Sequence, residues 1–201
     1  MPVRFDCQAC GEPWWAPPEN GCPRCGYDAR AIPDPIIWTC GQVAGTRIWI
    51  TGQMRTPPRF DGFVLRGFDT FVDVAGDAHY VWRPDERTVE AVGVRYVRIP
   101  VEDTNVDLPD EAFEAVCGAL DSAEGDTVLF CAAGLKRAPH LLYGVLRRRG
   151  CTEDEAWSMV HAARPMTDRF QPYIDAAERW ASVGNRRLAG RGIGRERLRQ
   201  T

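Results

Sequence analysis

The sequence is short of several things, and each shortage excludes something. No apolar run approaches the ~20 residues that a membrane-spanning helix needs. The opening MPVRFDCQAC has no basic stretch followed by a hydrophobic segment, so no export signal is legible and the expected address is the cytoplasm. No internal repeat is visible, which argues against a solenoid. Histidine is scarce: His79, His140 and His161 fall at no ligand-like spacing. Lysine is scarcer still. Among 25 Lys and Arg residues only Lys136 is a lysine, as an arginine-biased genome would give.

What remains describes a globular chain. At 201 residues, 44% hydrophobic and 26% charged, it can hold one ordinary domain and a small module. The net charge of −3 is unevenly spread, because six arginines against Glu196 give residues 185–201 a charge of +5 and leave −8 on the body. Such a tail is a solvated end or a contact for nucleic acid or an acidic partner.

The spacing of the eight cysteines reads as metal ligation rather than a disulfide framework. Four stand in two pairs, Cys7-x2-Cys10 and Cys22-x2-Cys25, each with Gly directly after its second cysteine. Four thiolates satisfy tetrahedral Zn²⁺, and a short Pro- and Trp-rich segment with so little core needs that staple to fold. The expected zinc is structural, since four protein ligands leave no open position. Cys40, Cys117 and Cys151 read as small core residues.

Residues 1–36 are therefore expected to be a zinc ribbon and linker, 37–183 one α/β domain, and 184–201 a basic tail. Within the domain, IIWTCGQV, RIWITG, TFVDVAG and DTVLFC read as strands, and TVEAVGVRYVRIPVED as a helix end followed by a strand. LPDEAFEAVCGALDSA, RAPHLLYGVLRRRG, TEDEAWSMVHAARP and DRFQPYIDAAERWASV read as helices, with Thr152 and Glu155 spaced as a capping box. Strands alternating with helices predict a mainly parallel central sheet flanked by helices.

The stretch LFCAAGLKRAP joins the DTVLFC strand to the next helix. A small-residue loop after Cys131 can aim the backbone N–H groups of Ala132, Ala133, Gly134, Leu135, Lys136 and Arg137 at an anion, reinforced by the helix N-terminus. That field favours a thiolate, and the Arg137 fork can hold two phosphate oxygens at once. A thiolate beneath a cradled phosphate is set for in-line attack.

Cys131, Gly134 and Arg137 resemble the Cys-x2-Gly-x2-Arg loop of the protein tyrosine phosphatase superfamily, and of its dual-specificity phosphatases in particular. RIWITG, TFVDVAG and TEDEAWSMVHAARP, which closes on Arg164-Pro165, are similar to further elements of that family. The resemblance implies a metal-independent phosphomonoester hydrolase acting on phosphorylated protein, with Cys131 as nucleophile and Arg137 as phosphate clamp. It also implies a general acid in IPVEDTNVDLP, matched by Asp103, with Asp107 and then Glu102 as alternatives. Two positions depart from the family: Phe130 stands where it has His before the nucleophile, and Ala138 where it has Ser or Thr after the arginine. Arg137-Ala138-Pro139 is similar to the plant glucan phosphatases, which makes glucan an alternative substrate, and a Lys136 pointing into the pocket rather than outward would favour a multiply charged one such as a lipid or an RNA 5′ end. A phosphate-binding adaptor without turnover and a rhodanese-like sulfurtransferase are the rival functions.

Overall fold

The computed structural model describes residues 40–54, 57–77 and 82–189, together with two short strands near the start. Those strands, β1 (Phe5–Asp6) and β2 (Pro13–Trp14), pair antiparallel with Phe5 opposite Trp14. The segment joining them carries Cys7 and Cys10; like Cys22, Cys25 and residues 190–201, these lie outside the described residues.

A five-stranded sheet carries the domain, in the order β3 (Gly41–Gln42), β4 (Ile48–Gly52), β7 (Asp126–Cys131), β5 (Phe68–Asp73), β6 (Arg95–Arg98). Only the short edge strand β3 runs antiparallel to its neighbour; the other pairs are parallel. β7 lies in the middle, with helix-bearing faces above and below. Its TVLFC run is accordingly buried throughout rather than alternating with polar residues.

The two faces divide the core. Val128 and Phe130 point to one side, among Met54, Phe60, Phe63, Phe68 and Phe71. Leu129 and Cys131 point to the other, where α3 (Asp110–Asp121), α4 (Arg137–Arg148), α5 (Glu153–Ala163) and α6 (Gln171–Ala189) pack. Each fully buried Leu or Phe contributes about 1.5–3 kcal/mol by leaving water. Helix α4 is the hub of this layer, packed against α3, α5 and α6. Residues Arg137 through Leu146 are all buried in it. Arg147 fixes α4 to α6 through a two-pronged bond to Glu178, at 2.6 and 2.8 Å, and the Tyr143 hydroxyl donates to the same carboxylate.

The strands and helices expected from the pattern are present, with boundaries moved by a few residues. The Thr152–Glu155 capping box forms, with Glu155 N–H donating to the Thr152 hydroxyl and Thr152 N–H to the Glu155 carboxylate. Helix α6 runs on to Ala189, past residue 183 where the domain was expected to end. The helix end read before the VRYVRI strand belongs to α2 (Glu86–Val92), capped by the Asp85 carboxylate, and α1 (Pro57–Val64) is an addition. The Pro57-Pro58 pair opens α1, since prolines are tolerated in a first helical turn, where N–H groups have no partner to lose. Cys40, Cys117 and Cys151 are half-buried at the edges of the two clusters rather than within them. Among the described residues no helix is long and apolar enough to cross a membrane.

Candidate active site

Strand β7 ends on Cys131, α4 begins at Arg137, and five residues turn the chain between them. Cys131 is 2% exposed and lies at the C-terminal edge of the sheet, on the helix-covered side. The turn needs its glycine. Gly134 has φ +69°, and a Cβ there would sit 2.4 Å from the Thr51 carbonyl oxygen of β4. Only a residue without a side chain fits that conformation and that approach.

The loop's carbonyls are anchored away from its concave side. Gln53 N–H donates to the Ala132 carbonyl at 3.2 Å. Arg164, buried at the end of α5, donates from Nε to the Gly134 carbonyl at 3.1 Å and from Nη2 to the Ala133 carbonyl at 2.9 Å. In a trans peptide the N–H points opposite to the C=O of the same unit. The amides of Ala133, Gly134 and Leu135 are thereby turned the other way, as an anion cradle requires.

At the helix end of the loop the Lys136 carbonyl accepts from the backbone N–H of His140, at 3.1 Å, and from its ring Nδ1, at 2.6 Å. The other ring nitrogen accepts from Phe170 N–H at 3.1 Å. These partners fix a neutral tautomer with the proton on Nδ1, and burial pushes the imidazole down to about 4. His140 is thus a core histidine.

Arg137 is 2% exposed, and its Nη1 donates to the Val101 carbonyl at 2.6 Å. Its buried Nε has no hydrogen-bond partner among the described residues. A guanidinium tied at one end with an unmatched donor at the other suits an anion with several oxygens. The bond to Val101 also brings the expected acid loop against the Cys131-to-Arg137 loop.

The three carboxylates of that loop are told apart by their partners. Asp103 accepts from the Tyr173 hydroxyl at 2.8 Å; burial and this bond push the phenol up to about 12. Asp107 is committed to Arg179, at 3.0 and 3.1 Å, on the surface. Glu102 is exposed and accepts from Asp77 N–H. Asp103 is the one held by a neutral donor from a helix of the site, between Val101, which bonds Arg137, and Asn105, which receives the Lys136 ammonium. Lys136 lies at the rim of the site.

The departures acquire locations. Phe130 is fully buried on the far side of the sheet from Cys131, edge-on to Tyr96. Ala138 is fully buried in the helix-side core and brings no hydroxyl. Trp82 packs against the Phe60 ring, and Tyr80 lies outside the described residues. The Cys117 thiol donates to Asp121, and burial with that carboxylate pushes it up to about 11, which makes it an inert thiol.

No family model and no curated protein matches the chain. Solved structures do. Tk-PTP in its active form superposes with a TM-score of 0.61 at 19% identity, over 72% of this chain and 97% of that one. The fold is that of the dual-specificity phosphatases. A mouse putative dual specificity phosphatase complexed with zinc tungstate gives 0.60 at 22% identity, over 80% of this chain and 94% of its own. Human DUSP28 gives 0.58 at 20% identity, over 76% and 96%. Arg164, Tyr173 and Asn105 bond the Cys131-to-Arg137 loop or the Asp103 loop, contacts that residue pattern alone did not single out. The one signal was Arg164-Pro165 closing a helix.

Proposed function

We propose that this protein is a cysteine-dependent phosphatase that hydrolyses phosphomonoesters of protein side chains. The Cys131 thiolate attacks phosphorus in line, forming an S–P bond as the P–O bond to the leaving group breaks. Asp103 gives that oxygen its proton, then takes one from the water that hydrolyses the phosphocysteine and frees phosphate. Arg137 and the loop amides of residues 132–137 hold the phosphoryl oxygens throughout. The observation that carries the reading is the set of loop carbonyls held outward by Gln53 and Arg164 beside a buried arginine with an unmatched Nε.

Catalysis in this reading needs no metal, and a reduced Cys131 suits a cytoplasmic address. Cys7, Cys10, Cys22 and Cys25 hold a structural Zn²⁺, and this ribbon of residues 1–36, with the basic tail 184–201, offers contacts to protein or nucleic acid outside the catalytic domain 37–183. Ala138 leaves the departing thiolate without a neighbouring hydroxyl, so breakdown of the intermediate is the slow step.

The test is hydrolysis of phenyl phosphate in EDTA by wild type, Cys131→Ser and Asp103→Asn. The reading expects turnover by wild type, none by Cys131→Ser, and a loss of about a hundredfold for Asp103→Asn. Normal activity of Cys131→Ser would overturn it. A second reading, a phosphate-binding adaptor, draws on Phe130 and Ala138; it expects vanadate to bind without any turnover.

A further inference from the structure

Lys136 is the chain's lone lysine, and the reaction just proposed assigns its side chain nothing. Its ammonium donates to the Asn105 side-chain oxygen and lies 4.8 Å from the centre of the Phe170 ring. The arrangement closes on itself. His140 bonds the Lys136 carbonyl with one ring nitrogen and Phe170 N–H with the other, so one histidine sets both the root of the lysine and the ring beneath its head. A cation over an aromatic face is attracted to it, which steadies a side chain that otherwise wanders among rotamers.

The receiving end is equally specific. Asn105 is the only non-glycine with positive φ among the described residues, at +56°. Asn tolerates this left-handed conformation better than most residues. The Asn105 backbone amide lies beside the Tyr173 hydroxyl, the same group that donates to Asp103. Residues 103–105 therefore wrap one phenol, and the strap is pinned from the phosphate-type loop by Lys136.

We propose that Lys136 is a positioning residue: its bridge to Asn105 latches the loop of residues 101–108 across Cys131 and holds Asp103 where a leaving oxygen would lie. This rests on the phosphatase reading for its catalytic meaning, but the latch itself is a property of the loops. A latch acting through the acid leaves phosphate binding alone and matters most when the leaving group needs a proton.

The experiment pairs hydrogen–deuterium exchange with kinetics in Lys136→Met, Lys136→Arg and Asn105→Gly, the last keeping the backbone free to adopt positive φ. Lys136→Met and Asn105→Gly are expected to speed exchange across residues 101–108 by about tenfold, with β7 and α4 unchanged, while Lys136→Arg keeps wild-type protection. On phenyl phosphate, kcat/KM, which reports the steps up to departure of the leaving group, should fall about tenfold in Lys136→Met, and less than about twofold on 2,4-dinitrophenyl phosphate, whose phenolate leaves unaided, with vanadate inhibition constant. Unchanged exchange overturns the latch whatever the activity. Faster exchange with equal losses on both substrates, or weakened vanadate binding, overturns the link to Asp103 and makes Lys136 a support of the phosphate loop. Wild type without turnover removes the phosphatase reading, and exchange then decides the latch by itself.

Discussion

Arg164 and Gly134 stand thirty residues apart in the chain and are joined by a hydrogen bond of 3.1 Å from guanidinium Nε to backbone carbonyl. The end of one helix thus fixes which way the loop opening another one faces. Arg164→Ala removes this bond and the one to Ala133, and each buried carbonyl left unpaired costs about 1–3 kcal/mol. Arg164→Lys does not rescue, since one ammonium cannot copy the planar fork. Thermal unfolding should show the loss, and vanadate affinity should fall about tenfold or more.

Gly134→Ala meets two objections at once. A left-handed conformation costs a non-glycine about 1–2 kcal/mol. The new methyl would also lie 2.4 Å from the Thr51 carbonyl, backbone of an inner strand with nowhere to go. Denaturant titration is expected to show a loss above the conformational cost alone, and vanadate binding is expected to disappear.

Tyr173 separates holding the acid from holding the phosphate. With its phenol pushed up to about 12, the hydroxyl stays a donor to Asp103 over the whole working pH range. Tyr173→Phe should cost about 1 kcal/mol of stability. In turnover of phenyl phosphate it should lower kcat about tenfold while vanadate inhibition is kept.

Asp107→Asn is the companion control. It breaks only a surface pair with Arg179, which is half exposed and worth no more than about 1 kcal/mol. Activity should stay within about twofold of wild type, where Asp103→Asn loses about a hundredfold. The reverse ranking would transfer the acid role to Asp107.

Stability should fall on acidification, and His140 gives the sign. Burial holds its folded value down near 4, against an ordinary 6.5, so between those pH values the unfolded chain binds more protons. Stability therefore declines as pH drops from about 6.5 towards 4, by up to about 3 kcal/mol. Buried Asp73, raised by desolvation, works in the opposite direction as the pH falls. Melting temperature against pH in wild type and His140→Gln tests this; an equal slope in both would remove His140 as the cause.

Much of the site was legible because it is contiguous. Cys131, Gly134 and Arg137 lie on one short loop, and a thiol, a glycine turn and a guanidinium fork at that spacing can be read together without help from the rest of the chain. The strands and most helices were legible for a similar reason, since hydrophobic period and capping are local properties. Asp103 was one of three neighbouring carboxylates, and spacing could only rank them. Their partners separate them, and those partners, Tyr173, Arg179 and the Asp77 amide, come from distant parts of the chain.

By itself, then, the sequence determined the α/β alternation, the Cys131-to-Arg137 loop and the four paired cysteines at the start, because each is written in residues close enough to be read together. Tertiary structure alone decided that Arg164 turns the loop's carbonyls outward, that Phe130 and Cys131 face opposite sides of β7, and that Lys136 reaches Asn105. Each of these depends on where folding brings a remote helix or loop. Hydrogen bonds act over about 3 Å, and no sequence spacing encodes that distance across thirty or seventy residues.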